Sequence, residues 1–344
     1  MLILFYVIKK GDSPWKKRPD NVRQRSREKL TMKSLPQFVL TVSLSQVLCI
    51  SSPSFSSPES VASIPCPLTA ISTQAQSLSK EQTYQNVPFN QGELASYRVY
   101  YMGIMVGYGH LQVMPPILYK KEWLWHFSAH ASTGDWYRAI FAAKDQAVAY
   151  ARPGSFAVRK FYLKQDEGKL FGKRLIQEKW LNFHENICTV EEIIRKDQEN
   201  SPRKEQSELA HNATDVLSAV YRLRSVSYSD TSPRKFLVYS SRKNWWLEAA
   251  PMKHESITVP AGTFSAVRLR LQTFLGQDLQ QKGDVHIWIA DQHPSHPLLK
   301  VEGEIKIGSV VMELNEFVPG GSNSETGIKG PTPQETLPTT PVPR

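Results

Sequence analysis

The sequence predicts an all-β, mainly antiparallel fold, a strongly curved sheet or open β-barrel with one short covering helix. Three observations carry this. Apolar and polar residues alternate with period two over short runs from Tyr97 onward. Gly and Pro interrupt those runs at close intervals, as tight turns between antiparallel strands require. A single segment, just after Thr214, changes to helical spacing. The end of the chain states the pattern most plainly. Val285, Ile287 and Ile289 alternate with His286, Trp288 and Ala290, a break follows with Pro294 and Pro297, and two further runs divide near Gly308.

Taken in order, the first strands are expected at 94–102 and 105–114, around Gly103 and Gly107, with Pro115-Pro116 ending the second. The run 123–133 alternates throughout. Strands at 146–151, 155–165, 172–183 and 187–194 follow, with turn material at Pro153-Gly154 and Asp166-Glu167-Gly168. The stretch 199–208 is charged, contains Pro202 and reads as a loop. Thr214 and Asp215 open the helix, Thr214 as cap and Asp215 at the positive end of the dipole. Val216, Leu217, Val220, Tyr221 and Leu223 then share a face, and Arg222 and Arg224 sit near the negative end. Strands at 235–240, 244–252, 254–259, 264–274, 285–289, 298–305 and 309–317 complete the set, with Pro260–Thr263 as a hairpin turn. Closing so many strands removes unpaired edges, which favours a barrel-like curve. A two-sheet sandwich with the helix at one end is the alternative.

The chain has 344 residues and a net charge of +10. That charge is not evenly spread. Residues 1–31 hold nine Lys/Arg and three acids, so +6 lies there and only +4 in the remainder. No basic stripe interleaved with aromatics follows, and nucleic acid is not an expected partner. Met32-Lys33 precedes an apolar run over 35–50 with small residues at 51–57, the layout of a secretory signal peptide. We therefore read 1–31 as an upstream extension outside the native chain, 32–57 as signal peptide and 58–88 as a flexible Ser/Pro/Thr-rich linker. Residues 89–318 form a single β-rich domain and 319–344 a disordered Pro/Thr tail. The apolar run falls short of the ~20 residues that span a bilayer, so no stable transmembrane segment is expected in the mature chain. Of three cysteines, Cys49 lies in the signal, leaving Cys66 and Cys188, whose pairing stays open. The residues ahead of Cys49 and Cys66 lack the small residue that lipid modification needs. The chain is read as exported to the periplasm or envelope.

Candidate site residues are aromatics beside acids. Asp135-Trp136-Tyr137 follows Gly134, and Asp145 lies soon after. An indole next to a carboxylate suits a sugar ring, and paired carboxylates suit work on a glycosidic bond when properly spaced. Trp125, Trp246 and Trp288 supply further aromatic surface on alternating strands, so the ligand-lining set is Trp125, Asp135, Trp136, Tyr137, Asp145, Trp246 and Trp288. His110, His126 and His130 would form a three-imidazole cluster in a register placing residue 110 opposite 126. Read as one polar hairpin face they carry no metal, and no metal or cofactor is assigned. No nucleophile elbow, zinc-protease motif or phosphate-binding loop is present.

Four segments together resemble the bacterial domain-of-unknown-function family 3108. They are FNQGELASYRVYYMGIMVGYGHLQV (89–113), DVLSAVYRLR (215–224), ITVPAGTFSAVRLRL (257–271) and VHIWIADQHPSHPLLKVEGEIKIGSVVMEL (285–314). The resemblance implies an exported, β-rich envelope protein and brings no catalytic residues. The resulting expectation is a non-catalytic envelope protein that holds a lipid or saccharide in the concavity of its sheet. The alternatives are an envelope glycan hydrolase using paired acids, and an assembly factor acting through protein contacts.

Overall fold

A computed structural model describes residues 87–138, 141–169, 174–280, 284–304 and 308–321. The expected extension, signal peptide, most of the linker and most of the tail lie outside the described residues. The described elements are β1 (Leu94–Tyr101), β2 (Ile104–Tyr119), β3 (Glu122–Thr133), α1 (Asp135–Arg138), β4 (Phe141–Ala151), β5 (Val158–Lys169), β6 (Leu175–His184), β7 (Thr189–Lys196) and β8 (Arg203–Glu208). Then come α2 (Val216–Arg224), β9 (Arg234–Ser240), β10 (Lys243–Val259), β11 (Gly262–Leu275), β12 (Asp278–Leu279), β13 (Val285–Ala290), β14 (Leu298–Glu304) and β15 (Ser309–Val318).

All fifteen strands belong to one antiparallel sheet, ordered β8-β7-β6-β5-β4-β3-β2-β1-β15-β14-β13-β11-β10-β9, with β12 beside β11. A continuous sheet replaces the two-sheet alternative. Its first and last strands approach each other through side chains instead of a backbone ladder. Ser207 and Tyr239 share a hydrogen bond of 2.6 Å, Asn244 donates to the Glu208 carbonyl at 3.1 Å, and Arg242 pairs with Glu205.

Three expectations are corrected. Pro115-Pro116 does not end β2, because a register shift between Met114 and Ile117 absorbs the missing donors. A similar shift near Pro251–Lys253 lets β10 run through as one strand. Residues 203–208, read as loop, pair with β7; their alternating charged side chains carry no apolar signature.

The core lies inside the curve. Trp125, Phe127 and Ala129 on β3 and Ala147, Ala149 and Ala151 on β4 face inward, and α2 packs against β3, β4 and β9. Eight of its nine residues are buried, so the helix is enclosed and fills the curve where the inward side chains are smallest. Tyr221 stacks on Phe127 with ring centres 3.9 Å apart. At the helix start the cap is Asp215, not Thr214. Its carboxylate accepts from the amides of Leu217 (2.8 Å) and Ser218 (3.0 Å), while Thr214 bridges to β9. At the helix end the Arg224 guanidinium donates to both Glu93 carboxylate oxygens at 2.7 and 2.9 Å. It also donates to the carbonyls of Ser295 (2.8 Å) and His296 (2.9 Å). On the outer wall, Leu124, Val148 and Tyr150 make a second, smaller cluster.

Candidate functional site

The inward face changes character along β4 and β5. Ala147 lies opposite Leu163, both in the apolar interior; two residues nearer α1 the inward positions become Asp145, Gln165 and Glu167, joined by Gln177 from β6. All four are buried. Gln177 donates its amide to the Gln165 carbonyl at 3.3 Å, and Gln165 donates to Glu167 Oε1 at 3.3 Å. Asp145 accepts from the backbone amide of Asp166 at 3.2 Å. Its carboxyl lies close enough to that of Glu167 to feel its charge. Further along the same face, Lys179 pairs with Glu192 at 3.4 Å.

Burial, and next the Glu167 charge, hold Asp145 well above the ordinary carboxylate range, against the opposing pull of the Asp166 amide. Asp145, pushed up to about 8, and Glu167 are flanked by two carboxamides. This array both donates and accepts, as a hydroxyl-rich ligand requires.

Asp135, Trp136 and Tyr137 form the rim of the same end. Gly134 donates to the Val106 carbonyl at 2.9 Å, and the amides of Tyr137 and Arg138 return to Gly134, closing the single turn of α1. Trp136 is 56% exposed and meets Tyr137 edge-on, with ring centres 5.3 Å apart. The Asp135 side chain is 94% exposed and pairs with Arg138 at 3.1 Å. Asp135 and Asp145 therefore occupy opposite environments, one in solvent and one buried, and do not act as a pair.

The other sequence-predicted residues lie elsewhere. Trp125 is core, parallel to Phe127 and edge-on to Phe89. Trp288 points to the outer wall, between Arg268 (5.0 Å) and Lys300 (5.1 Å), and donates to Glu255 at 2.9 Å. Trp246 is half-buried beside β9 and opposite Phe274. Glu167, Gln165 and Gln177 were not anticipated, although Phe161, Leu163, Gln165 and Glu167 share one parity. Among the histidines, His110 faces His130 across the ladder and His126 faces Met114. His126 stacks on Tyr150 at 4.7 Å, and burial lowers its pKa to about 4. The described residues hold no group of three or more His, Cys, Asp or Glu arranged for a metal. No helix among them is long and apolar enough to cross a membrane.

In the apolar half, a cavity of about 20 Å³ remains between α2 and strands β13–β15, lined by Val220, Leu223, Ile287, Leu298, Val301 and Met312. It has room for roughly one water-sized body.

A family model described as "Protein of unknown function (DUF3108)" matches residues 96–315, and the chain belongs to that family. No curated protein matches the sequence. Among solved structures, a beta-barrel-like protein of DUF1849 from Brucella abortus is similar at 5% identity and TM-score 0.45, over 67% of this chain and 99% of that one. A candidate exported protein with a YmcC-like fold from Bacteroides fragilis is 10% identical, with TM-score 0.30 over 67% and 98% of the two chains. A candidate lipoprotein from Parabacteroides distasonis is 15% identical, with TM-score 0.29 over 68% and 99%.

Proposed function

We propose that this member of the DUF3108 family is an exported envelope protein that binds a saccharide at the acid–amide cluster near α1. The observation that carries the reading is the buried acid pair Asp145 and Glu167, flanked by hydrogen-bonded Gln165 and Gln177 on the concave face. These groups offer donors and acceptors side by side, and Trp136 and Tyr137 at the rim add flat apolar faces. A saccharide is favoured over a lipid because α2 packs against the inward side of β3, β4 and β9 and fills the apolar half. Export is supported by the signal-like leader, and by Cys188, which is disulfide-bonded, a state kept in oxidising compartments.

Isothermal titration with fragments of envelope glycans, together with native mass spectrometry of protein recovered from the periplasm, tests the reading. Bound saccharide should be lost in Gln165→Ala and Gln177→Ala, with the folding of each variant verified by its urea midpoint. If the wild-type protein carries no saccharide and takes up no glycan fragment, the reading is wrong. Turnover of such a fragment, abolished by Asp145→Asn, would instead favour the hydrolase.

A further inference from the structure

The turns at the α1 end carry apolar side chains where turns are ordinarily polar. Met102 and Gly103 form the β1–β2 turn, with φ of 50° and 80°. Among the described residues, two further two-residue turns join strands with positive φ at both positions, Lys120–Lys121 (48°, 68°) and Ser241–Arg242 (52°, 62°). Those two are polar. The left-handed region disfavours a side chain such as Met, yet Met102 is held there and left 57% exposed. Ile104 beside it is 56% exposed and Trp136 on α1 is 56% exposed.

These tips form one patch. The amide of Met102 donates to the Ser309 carbonyl at 3.0 Å, and Gly134, which leads into α1, donates to Val106 at 2.9 Å. A Cβ on Gly308 would stand 2.5 Å from Met102 Cγ, which places Met102 against Gly308. Behind the tips a cross-strand row runs Arg98, Tyr108, Ser132 and Lys144, in register across β1 to β4. Arg98 and Lys144 are exposed, and so is Tyr108 at 45%. Glu313 stands opposite Arg98 in the β1–β15 ladder and also reaches Lys300 at 3.8 Å. From Ile104 to Tyr108 is about 13 Å along the strand. Apolar tips backed by a row that holds an aromatic and two cations are what a protein presents to a bilayer interface.

We propose that this end docks on an anionic lipid surface, with Met102, Ile104 and Trp136 entering the headgroup layer and Arg98 and Lys144 drawn to it by its negative surface charge. The docking surface shares Trp136 with the rim of the saccharide site, and its test rests on Met102 and Ile104, which are not part of that site. It would set the acid–amide end of the sheet toward the bilayer.

The test is co-sedimentation of the full chain with vesicles of phosphatidylcholine, alone and with phosphatidylglycerol. The wild-type protein should partition onto the anionic vesicles. Met102→Ser/Ile104→Ser, at two exposed positions, should lower partitioning by about ten- to a hundredfold, from the loss of two inserted apolar side chains. The double variant keeps the leader sequence, so leader insertion would leave the two proteins equal and overturn the proposal. Equal binding to neutral and anionic vesicles would remove the role of the cations, and absence of wild-type binding would remove the surface altogether. Self-association of the wild type without lipid, abolished in the double variant, would reassign the patch to a second copy of the chain. Saccharide titration of the double variant should be unchanged, which separates this result from failure of the ligand site.

Discussion

Replacing Glu93 by Gln removes one charge from an ion pair whose side chains are each 2% exposed. The Arg224 guanidinium would keep its two backbone carbonyl acceptors and its positions over Phe89 (5.3 Å) and Tyr221 (5.2 Å), but lose its counter-charge. Breaking one partner of a fully buried pair costs about 3–5 kcal/mol, against a total domain stability of about 5–15 kcal/mol. Arg224 holds the end of α2, so the loss should fall on helix docking. Urea unfolding followed by tryptophan emission should show the midpoint falling with little change in slope. The double variant Glu93→Gln/Arg224→Met should recover much of the loss, since Met can lie between the same two rings and leaves no buried charge. A Glu93→Gln effect below about 1 kcal/mol, the size typical of an exposed surface pair, would refute the assignment of α2 docking to this pair. So would a double variant no more stable than the single one.

Three further perturbations follow from the same structure. His126 is held neutral in the fold, with its pKa lowered to about 4 by burial, so its contribution is complete above pH 6.5 and is lost as pH falls from there toward 4. His126→Gln should flatten that part of the stability–pH curve, by an amount on the order of 3 kcal/mol, read from urea midpoints at pH 7 and pH 4. Asp145 has the opposite sign. Its raised pKa makes its contribution greatest in acid and diminishing as pH rises through the folded value, so Asp145→Asn should gain on wild type in the alkaline direction. Asp215→Ala removes the helix cap with its two backbone bonds and should lower stability by about 0.5–2 kcal/mol, measured by the same unfolding curves.

The fold was legible because period-two alternation depends only on which face is buried. β13 and β3 were visible from Val285–Ile289 and from Trp125 to Ala129 without knowledge of any neighbour. What alternation leaves out is register. The partner of Asp145 is Glu167, twenty-two positions later, and the contact arises only from the stagger between β4 and β5. The same gap misplaced the histidines, since the bulge at Pro115-Pro116 and the turn at Lys120–Lys121 set His110 against His130 instead of His126. Aromatic count was a weaker guide than position. Trp125 and Trp288 serve the core and the outer wall, and Trp136 is exposed on account of a turn that sequence periodicity does not describe. β8 was hidden because an edge strand held by backbone pairing needs no apolar face.

The run Ala147-Val148-Ala149-Tyr150-Ala151 holds one more consequence. Its larger side chains point to the outer wall and its smallest ones inward, the reverse of what a filled barrel without a plug would need. With Ala129 on the neighbouring strand, these alanines make the space in which α2 lies, and Ala147, Ala149 and Ala151 are each fully buried. The inward row stays small while facing the helix and becomes polar at Asp145 beyond it, so one strand sets both the plugged half and the acid–amide half. Ala149→Leu would add three carbon atoms where none can be admitted without moving the helix. Overpacking of this kind costs about 1–3 kcal/mol or more, and here it should also weaken the Arg224 contacts at the far end of α2. If Ala149→Leu unfolds in urea at the wild-type midpoint, the helix does not fill the curve as described. The confinement of ligand to the α1 end would then lose its physical basis.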